Sequence, residues 1–299
     1  MKQLVSALSR RPGSAGLAAC VAVTALLVAA PTLARGQLYF QDRDIARMVS
    51  LGGSCNRCEL SGRDLSGATF SGATFINATL IGANLRGAEL IGSNFTRSDF
   101  SHADLRGAGT LGANFTGANF TDANLSGVEA TGVTLIRARL RDANLSGAEL
   151  GGANMNGAVL IRANFTGAEV LGATLANVDA RSATFTNAAI DASNLSNGDF
   201  RSASFRGASL NGARLLNGRF ANADFSGASL NRADIRGVDL SDARGLSQDQ
   251  VGRACGDSTT RLPRGLSSRI CRGVSMIRIP APPSPPTPPQ RNFAMASSD

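Results

Sequence analysis

The dominant pattern in this chain is an apolar residue at every fifth position. From Leu60 to Leu240 there are thirty-seven such positions in one unbroken register, and thirty-four of them hold Leu, Phe, Ile, Val or Met. Two residues before each of these centres the chain has Ala in twenty-six units. The residue between the two is usually Asn, Asp, Glu, Thr or Ser, and the two after the centre are polar or Gly. The chain therefore repeats a five-residue unit with one large and one small apolar position.

A period of five fits neither of the regular secondary structures. An α-helix returns to the same face about every 3.6 residues and a β-strand every 2 residues, so neither keeps these centres on one side. The chain must turn once in each unit if both apolar positions are to face inward. Successive units then form the sides of a coil, meaning one full circuit of the chain, whose backbone groups pair with the coils above and below.

The spacing of Phe residues predicts how many units complete one coil. Phe pairs twenty residues apart number seven, whereas none is ten apart. The seven pairs are Phe75/Phe95, Phe95/Phe115, Phe100/Phe120, Phe165/Phe185, Phe185/Phe205, Phe205/Phe225 and Phe200/Phe220. Four units per coil make residue i+20 the vertical neighbour and residue i+10 the opposite wall of a narrow core. The repeat then gives about nine coils, and a strand spacing of ~4.8 Å gives a rod about 45 Å long.

Three units have a weak centre, namely Thr110, Ala130 and Ala180. In two of them the small position is enlarged, because Val128 and Val178 replace the usual Ala. We expect the volume lost at one inward site to be restored at the other.

Units such as "ANLRG", "ANFTG" and "ADFSG" resemble the pentapeptide-repeat family, written A-(D/N)-L/F-X-X. The resemblance covers Cys58 to Ala243, about three fifths of the chain. It implies an all-β fold, a right-handed quadrilateral β-helix, and some members of the family are described as DNA-shaped modulators of topoisomerases. We place the repeat domain at residues 55–243.

An open rod needs covered ends. We expect residues 35–54 to form an N-terminal capping helix, because Ile45, Met48 and Val49 have helical spacing before two Gly residues. We expect a C-terminal cap at residues 244–275.

Within that cap, Ser247 and Gln250 fit a capping box, with Leu246 and Val251 as the hydrophobic staple. We therefore predict a helix over Gln248–Cys255, with Gly256 as its stop. Residues 276–299 include a run of Pro and predict an extended, disordered tail.

Residues 1–34 are typical of a secretory signal peptide. A basic start is followed by an uncharged run rich in Ala, Val and Leu, and Thr32-Leu33-Ala34 provides a small-residue cleavage site. A twin-arginine signal at Arg10-Arg11 and a lipoprotein site at Cys20 fit less well. We expect cleavage after Ala34 and a periplasmic or secreted bacterial protein without stable membrane insertion. An uncleaved leader would instead anchor the chain in the membrane.

The net charge of +8 belongs to the ends of the chain. Between Arg35 and Ala243 there are nineteen Arg and nineteen Asp or Glu residues, so the body is balanced. Mimicry of DNA requires an acidic surface. Balance and export together argue against both a DNA-mimic role and a nucleic-acid partner.

Removal of the leader leaves four cysteines, which predict two disulfides in an oxidising compartment. Cys55 and Cys58 occupy inward positions of the repeat, and Cys255 and Cys271 flank a segment beyond it. A rod about 45 Å long separates the two sets, which excludes a shared zinc site or a disulfide between the ends. The predicted pairs are Cys55–Cys58 and Cys255–Cys271. A redox-active Cys55/Cys58 pair remains the alternative.

No other residues form a recognisable catalytic or metal-binding pattern. His102 is the single His of the chain and lies at an outward position. Carboxylates such as Asp99, Asp104, Glu149 and Glu169 recur one residue before the centre, so the repeat accounts for them as solvent-facing corner residues. We expect a non-enzyme without cofactor or metal.

The function that these features favour is an exported structural or interaction scaffold with a protein or other partner in the cell envelope. The basic C-terminal segment could contact acidic envelope polymers or lipid headgroups. A homodimer through the ends or faces of the rod is a further expectation. The alternatives are a thiol-redox protein using Cys55 and Cys58 and, less favoured, a DNA mimic that modulates a topoisomerase.

Overall fold

The structure is a computed structural model that describes residues 52–271. The predicted signal peptide, the predicted disordered tail and nearly all of the predicted N-terminal capping helix lie outside these residues.

Each five-residue unit consists of a two-residue turn followed by three extended residues. The carbonyl oxygen of the centre accepts a hydrogen bond from the amide of the small residue in the next unit, as from Ala68 N to Leu65 O at 3.1 Å. The second residue after the centre has a positive φ at every position from Arg57 to Gly237, whereas the first never does. This combination is that of a type II turn, in which Gly or Asn is favoured at the left-handed position. Gly or Asn fills most of these positions.

The turns make the chain rise by one coil every twenty residues. Parallel bridges join residues i and i+20 without interruption from Ser54↔Thr74 to Asp224↔Arg244. The centre amide donates to the coil that follows, as from Leu65 N to Asn84 O at 2.7 Å. Four units therefore complete one coil, as the Phe spacing predicts, and the fold is a right-handed quadrilateral β-helix.

The core is a continuous column of the two inward positions. Nearly all centres and small residues between Leu60 and Ala243 are buried. The Phe rings twenty residues apart stack almost in parallel, with centroids 4.6 Å apart for Phe75/Phe95 and 5.4 Å for Phe95/Phe115. Rings of consecutive units meet at an edge, as Phe95 and Phe100 do at 5.1 Å. Stacked and edge-to-face geometries are both favourable for aromatic pairs.

Two of the three weak centres, Thr110 and Ala130, border a small cavity in the core. Thr110, Val128 and Ala130 line a cavity of about 10 Å³. Val128 is fully buried and Ala130 is 3% exposed. Val128, which replaces the usual Ala, therefore fills part of the space that the small centre Ala130 leaves. The hydroxyl of Thr110 donates to Glu129 O at 3.2 Å, which satisfies the buried polar group.

A helix and a two-stranded sheet close the C-terminal end. Helix α1 spans Gln248–Arg253, and the parallel strands β1 and β2 span Cys255–Gly256 and Arg269–Ile270. The capping box between Ser247 and Gln250 is present.

The helix ends two residues before the predicted Cys255, because Ala254 is extended and Cys255 enters β1. Gly256 is therefore part of a strand rather than the helix stop.

The cap supplies hydrogen bonds to carbonyl groups of the last coil, and Ala228 O has no backbone donor of its own within residues 52–271. The side-chain amide of Gln250 donates to Phe225 O at 2.9 Å and to Ala228 O at 2.7 Å. Val251 is fully buried, and Ala254 and Leu246 pack against the end of the core. After the helix the chain pairs with the last coil again, but the bridge from Asp234 to Cys255 joins residues twenty-one apart instead of twenty. Gln250 thus acts both in the helix cap and in the seal of the core.

Gly218 occupies a small position because the Phe ring of its own unit uses the space of a methyl group. A Cβ there would lie 2.5 Å from Phe220 Cε2 and 3.0 Å from Leu215 O. We expect Gly218→Ala to lower the free energy of unfolding by about 1–3 kcal/mol through overpacking. Urea denaturation measures this.

Gly109 is the matched control, because its Cβ would meet nothing within 4 Å and its φ is not positive. There Ala should be neutral or stabilise by about 0.4–1 kcal/mol. Equal losses at the two positions would contradict the overpacking argument.

Asp257 organises the turn beneath the cap and should make it acid-sensitive. Its carboxylate accepts from the amides of Thr259, Thr260 and Gly237 at 2.9, 3.0 and 3.2 Å. The hydroxyl of Thr259 contributes most to lowering the pKa of Asp257, from 3.8 to about 2. Because the pKa is lower in the folded state, the ionised carboxylate of Asp257 stabilises the cap fully above about pH 3.8. This stabilisation is lost as the pH falls through about 2.

We expect amide hydrogen exchange at Thr259 and Gly237 to accelerate relative to the core on acidification through this window. In Asp257→Asn the protection should not change with pH there. Protection in the parent protein that is equal at both ends of the window would rule out this role.

Candidate interaction surface

The outward positions of each unit fall into two kinds. The bridge residue, one before the centre, lies in the middle of a face, and the two turn residues form a corner. The recurrent carboxylates therefore lie on faces, and their prediction as corner residues is wrong. Each bridge residue is stacked on its equivalents in the adjacent coils, so any side chain repeated at this position forms a column along the rod.

The preference for Asn and Asp at the bridge position has a structural cause. Their side-chain oxygen accepts a hydrogen bond from the amide two residues later, as from Thr96 N to Asn94 at 3.1 Å and from Ser101 N to Asp99 at 2.9 Å. That amide starts the turn and has no backbone partner. This is the local bond that favours Asn and Asp in turns. Sequence analysis missed the role, although the enrichment of Asn and Asp just before each turn signals it.

One face carries a column of Glu residues in successive coils. Glu129 bridges Glu149, and Glu149 bridges Glu169. All three side chains are exposed and make no hydrogen bond or ion pair with other residues in the range 52–271. We call these three residues the acidic column. Like charges directly opposite one another in a sheet are destabilising.

One corner carries four Arg residues over four successive coils. Arg141, Arg162, Arg181 and Arg201 line an open cleft of about 470 Å³. Ile161, Ser182, Ser202 and Asn222 complete its walls. We call this group of eight residues the arginine cleft. Because all of them are turn residues, the cleft runs along the rod axis.

Three of the four guanidinium groups are held by carboxylates. Arg162 donates from Nε and Nη2 to Asp142, with both distances 2.6 Å. Arg181 binds Asp179 in the same two-point manner at 2.8 and 2.9 Å. Such forked pairs are the strong, directional form of the charge-assisted hydrogen bond.

Arg201 binds Asp199 through Nε at 2.8 Å and Nη2 at 2.6 Å. Partial burial by itself would raise the pKa of Asp199, but the hydrogen bonds from Arg201 outweigh it and the pKa is lowered. The hydrogen bond from Arg162 is the main cause of the lowered pKa of Asp142. The carboxylates therefore stay ionised and keep the guanidinium groups in place.

The cysteines lie at the two ends of the described rod. Cys55 and Cys58 are half-buried against the first coil and joined by a disulfide, with Cα atoms 5.4 Å apart. A second disulfide joins Cys255 and Cys271, with Cα atoms 5.1 Å apart, and connects the start of β1 to the residue after β2.

The remaining candidates are placed as follows. His102 is exposed at a corner, with Nδ1 4.0 Å from Asp122 Oδ2. Among residues 52–271 no group of His, Cys, Asp and Glu side chains has an arrangement that could hold a metal ion. Over the same range, no helix has the length and apolar character needed to cross a bilayer.

A family model described as pentapeptide repeats matches this chain in eight copies. The matched residues are 54–90, 75–108, 111–136, 138–170, 158–197 and 203–242. A comparison with curated proteins found no match.

Several solved structures are similar to this chain. One is HetL, a pentapeptide repeat protein involved in heterocyst differentiation regulation from the cyanobacterium Nostoc sp. strain PCC 7120, at 26% identity over 76% of this chain and 96% of that chain, with a TM-score of 0.38. Another is full-length QnrB1, a plasmid-mediated fluoroquinolone resistance protein, at 22% identity over 64% and 93%, with a TM-score of 0.32. A third comes from the Arabidopsis thaliana thylakoid lumen, at 28% identity over 44% and 72%, with a TM-score of 0.20.

The acidic column offers a direct test of the bridge register. Replacing the middle carboxylate, Glu149→Gln, should raise the free energy of unfolding by about 0.2–1 kcal/mol, because it relieves repulsion from both neighbours. Urea denaturation at low and high salt measures this, and salt should reduce the gain.

Glu89→Gln is the matched control on the same face. Its bridge partners are Thr69 and Gly109, so no gain is expected. A gain at Glu89 as large as that at Glu149 would show that repulsion within the column is not the cause.

Proposed function

Since this chain belongs to the pentapeptide-repeat family, we propose that it is an exported, non-enzymatic scaffold that presents a rigid β-helical rod to a partner in the cell envelope. Proteins of this family are generally structural or interaction proteins. The observation that carries the proposal is the division between the filled core and the charged columns and corners outside it.

The shape of the surface supports binding rather than catalysis. The inward side chains of the described rod are nearly all buried, and the cavity beside Thr110 and Ala130 has a volume of only about 10 Å³. The arginine cleft is an open groove on a corner, and Arg provides four of its eight lining residues. A rod of this kind holds side chains at fixed intervals along one direction, which suits an extended partner.

Export is supported by the leader pattern at residues 1–34 and by the two cysteine pairs, each within disulfide distance at its own end of the rod. Disulfides persist in oxidising compartments and are rare in the cytosol. The disulfide between Cys255 and Cys271 joins the start of β1 to the residue after β2. Apart from it, β2 is held mainly by its contacts with β1 and α1.

The alternative of a thiol-redox protein rests on Cys55 and Cys58, which are half-buried rather than buried. A catalytic pair must cycle between thiol and disulfide and be open to its substrate. The state of these two cysteines in the exported protein therefore distinguishes the two functions.

Localisation of the full-length chain, with N-terminal sequencing, tests the proposal. We expect a mature protein that starts at Arg35 in the periplasmic or secreted fraction. Val23→Arg with Leu27→Arg is the control, because two charges in the apolar run should block export and leave the leader attached. An uncleaved parent protein in the cytoplasm would refute the exported role.

Peptide mapping of the exported protein without reduction then examines the thiols. A scaffold should yield Cys55–Cys58 and Cys255–Cys271 as stable pairs that mild reductant leaves intact. A Cys55/Cys58 pair that is reduced selectively and supports thiol exchange with a model disulfide substrate would favour the redox alternative instead.

A further inference from the structure

We propose that the arginine cleft is a binding site for a linear polysaccharide that carries carboxylate groups. The inference deepens the scaffold role proposed above by naming the chemistry of its partner. It is carried by the hydrogen-bond donors of the cleft, its local charge, its direction and its lining.

The braced Arg residues retain donors for a second anion. A guanidinium group has five N–H donors, and each two-point bond uses one on Nε and one on Nη2. The Nη1 group of Arg162, Arg181 and Arg201 takes part in none of these bonds. Asp thus holds one edge of each guanidinium group, while the Nη1 edge can donate to another anion. A ligand carboxylate would then bind a side chain that is already ordered.

The fourth Arg residue has no brace. Arg141 forms no ion pair with any carboxylate in residues 52–271, although it lies near enough to Asp142 to lower the pKa of that carboxylate. Arg141 is a half-buried residue whose charge has no ion-pair partner among these carboxylates, so an external anion can serve as its counter-ion.

The lining of the cleft is positively charged, because it contains four Arg residues and no carboxylate. Asp142, Asp179 and Asp199 brace the cleft, and Asp122 lies near its lower end, close enough to act on Arg162. On the other side of the balance, Arg219 lies 3.8 Å from Asp199. Arg139 is on the same face as Arg219, next to Arg141. Asp239 bridges Arg219, and Asp242 follows Asn222 in the next coil, so the outer Arg residues are offset by nearby Asp residues. The positive charge is therefore concentrated in the four Arg residues of the lining, within a rod body whose charges balance overall.

The cleft is linear and follows the coil spacing. Arg141 and Arg201 are three coils apart, which corresponds to about 14 Å at the strand spacing. Anionic groups repeated along a chain can therefore meet successive Arg residues without bending. A small compact anion would use only one of them.

The lining favours a sugar chain over a nucleic acid. Ser182, Ser202 and Asn222 offer neutral donors and acceptors between the guanidinium groups, as sugar hydroxyls require. Proteins that bind single-stranded nucleic acids use aromatic side chains as stacking platforms. All aromatic side chains in residues 52–271 are Phe residues of the core, so none is open to a base.

The test is direct binding of the purified exported protein to polygalacturonate, measured by calorimetry at low salt. We expect binding that weakens with added salt and drops about tenfold or more in R141Q/R181Q, because two sets of charge-assisted hydrogen bonds are lost. Neutral dextran should not bind. Single-stranded DNA and polyphosphate, tested in parallel, should bind more weakly than polygalacturonate.

R86Q/R106Q is the matched control. Both residues are turn residues that pair with Asp104 at 2.7 Å, with side-chain exposures of 53% and 42%, and neither lines the cleft. This variant should bind as the parent does, and equal urea midpoints for the two variants would exclude misfolding as the cause of lost binding.

Three results overturn the inference: no binding of polygalacturonate, an equal loss in both double variants, or tighter binding of DNA or polyphosphate. The assay uses protein in solution, so a failed binding test leaves the export result standing. A failed export test likewise leaves the cleft measurable.

Discussion

The turn that closes every unit is the constraint on which this structure depends. It places one residue of each unit in the left-handed region at thirty-seven successive positions, and seventeen of these residues are not Gly. Arg57 and Ala192 are among those that gain nothing locally from this conformation. The strain is offset because each turn positions two inward side chains, and four of the five amides of a unit donate to a neighbouring coil or to the preceding unit. A single turn of this kind would be marginal, whereas a stack of them is cooperative.

The same turn separates stability from function. Inward positions are restricted to a large and a small apolar residue, while the bridge residue is partly restricted by its bond to the turn amide. The two turn residues are the least restricted by the fold, since nearly all of them are exposed or half-buried and only one has a special φ. All eight residues of the arginine cleft are of this last kind. Recognition therefore lies where substitutions cost the fold least.

How much the sequence predicts follows from this division. The Phe spacing is sufficient for four units per coil, because stacked rings obey a strict interval of twenty. The clash that requires Gly218 is not visible in the sequence, since it depends on which way the Phe220 ring turns. The arginine cleft is not visible in the sequence either, because its Arg residues do not follow a strict interval of twenty. Arg141, Arg181 and Arg201 come directly after a centre, whereas Arg162 comes two residues after one. Residues one and two positions after the centre lie at the same corner, so side chains from both positions can form one column of like residues.

Charge is distributed across the rod rather than along it, although the overall balance conceals this. The acidic column lies half a circuit, ten residues, from the face of Arg139 and Arg219, which borders the arginine cleft. A column of unpaired Glu on one side and four Arg residues gathered on one corner on the other side both reduce stability through like-charge repulsion. Exchanging a Glu with an Arg would reduce the repulsion on both sides without changing the core. The separation of Glu and Arg onto different sides therefore indicates two surfaces kept for different contacts. The acidic side then also repels a polyanion, and so directs it to the corner where the braced Arg residues can hold it.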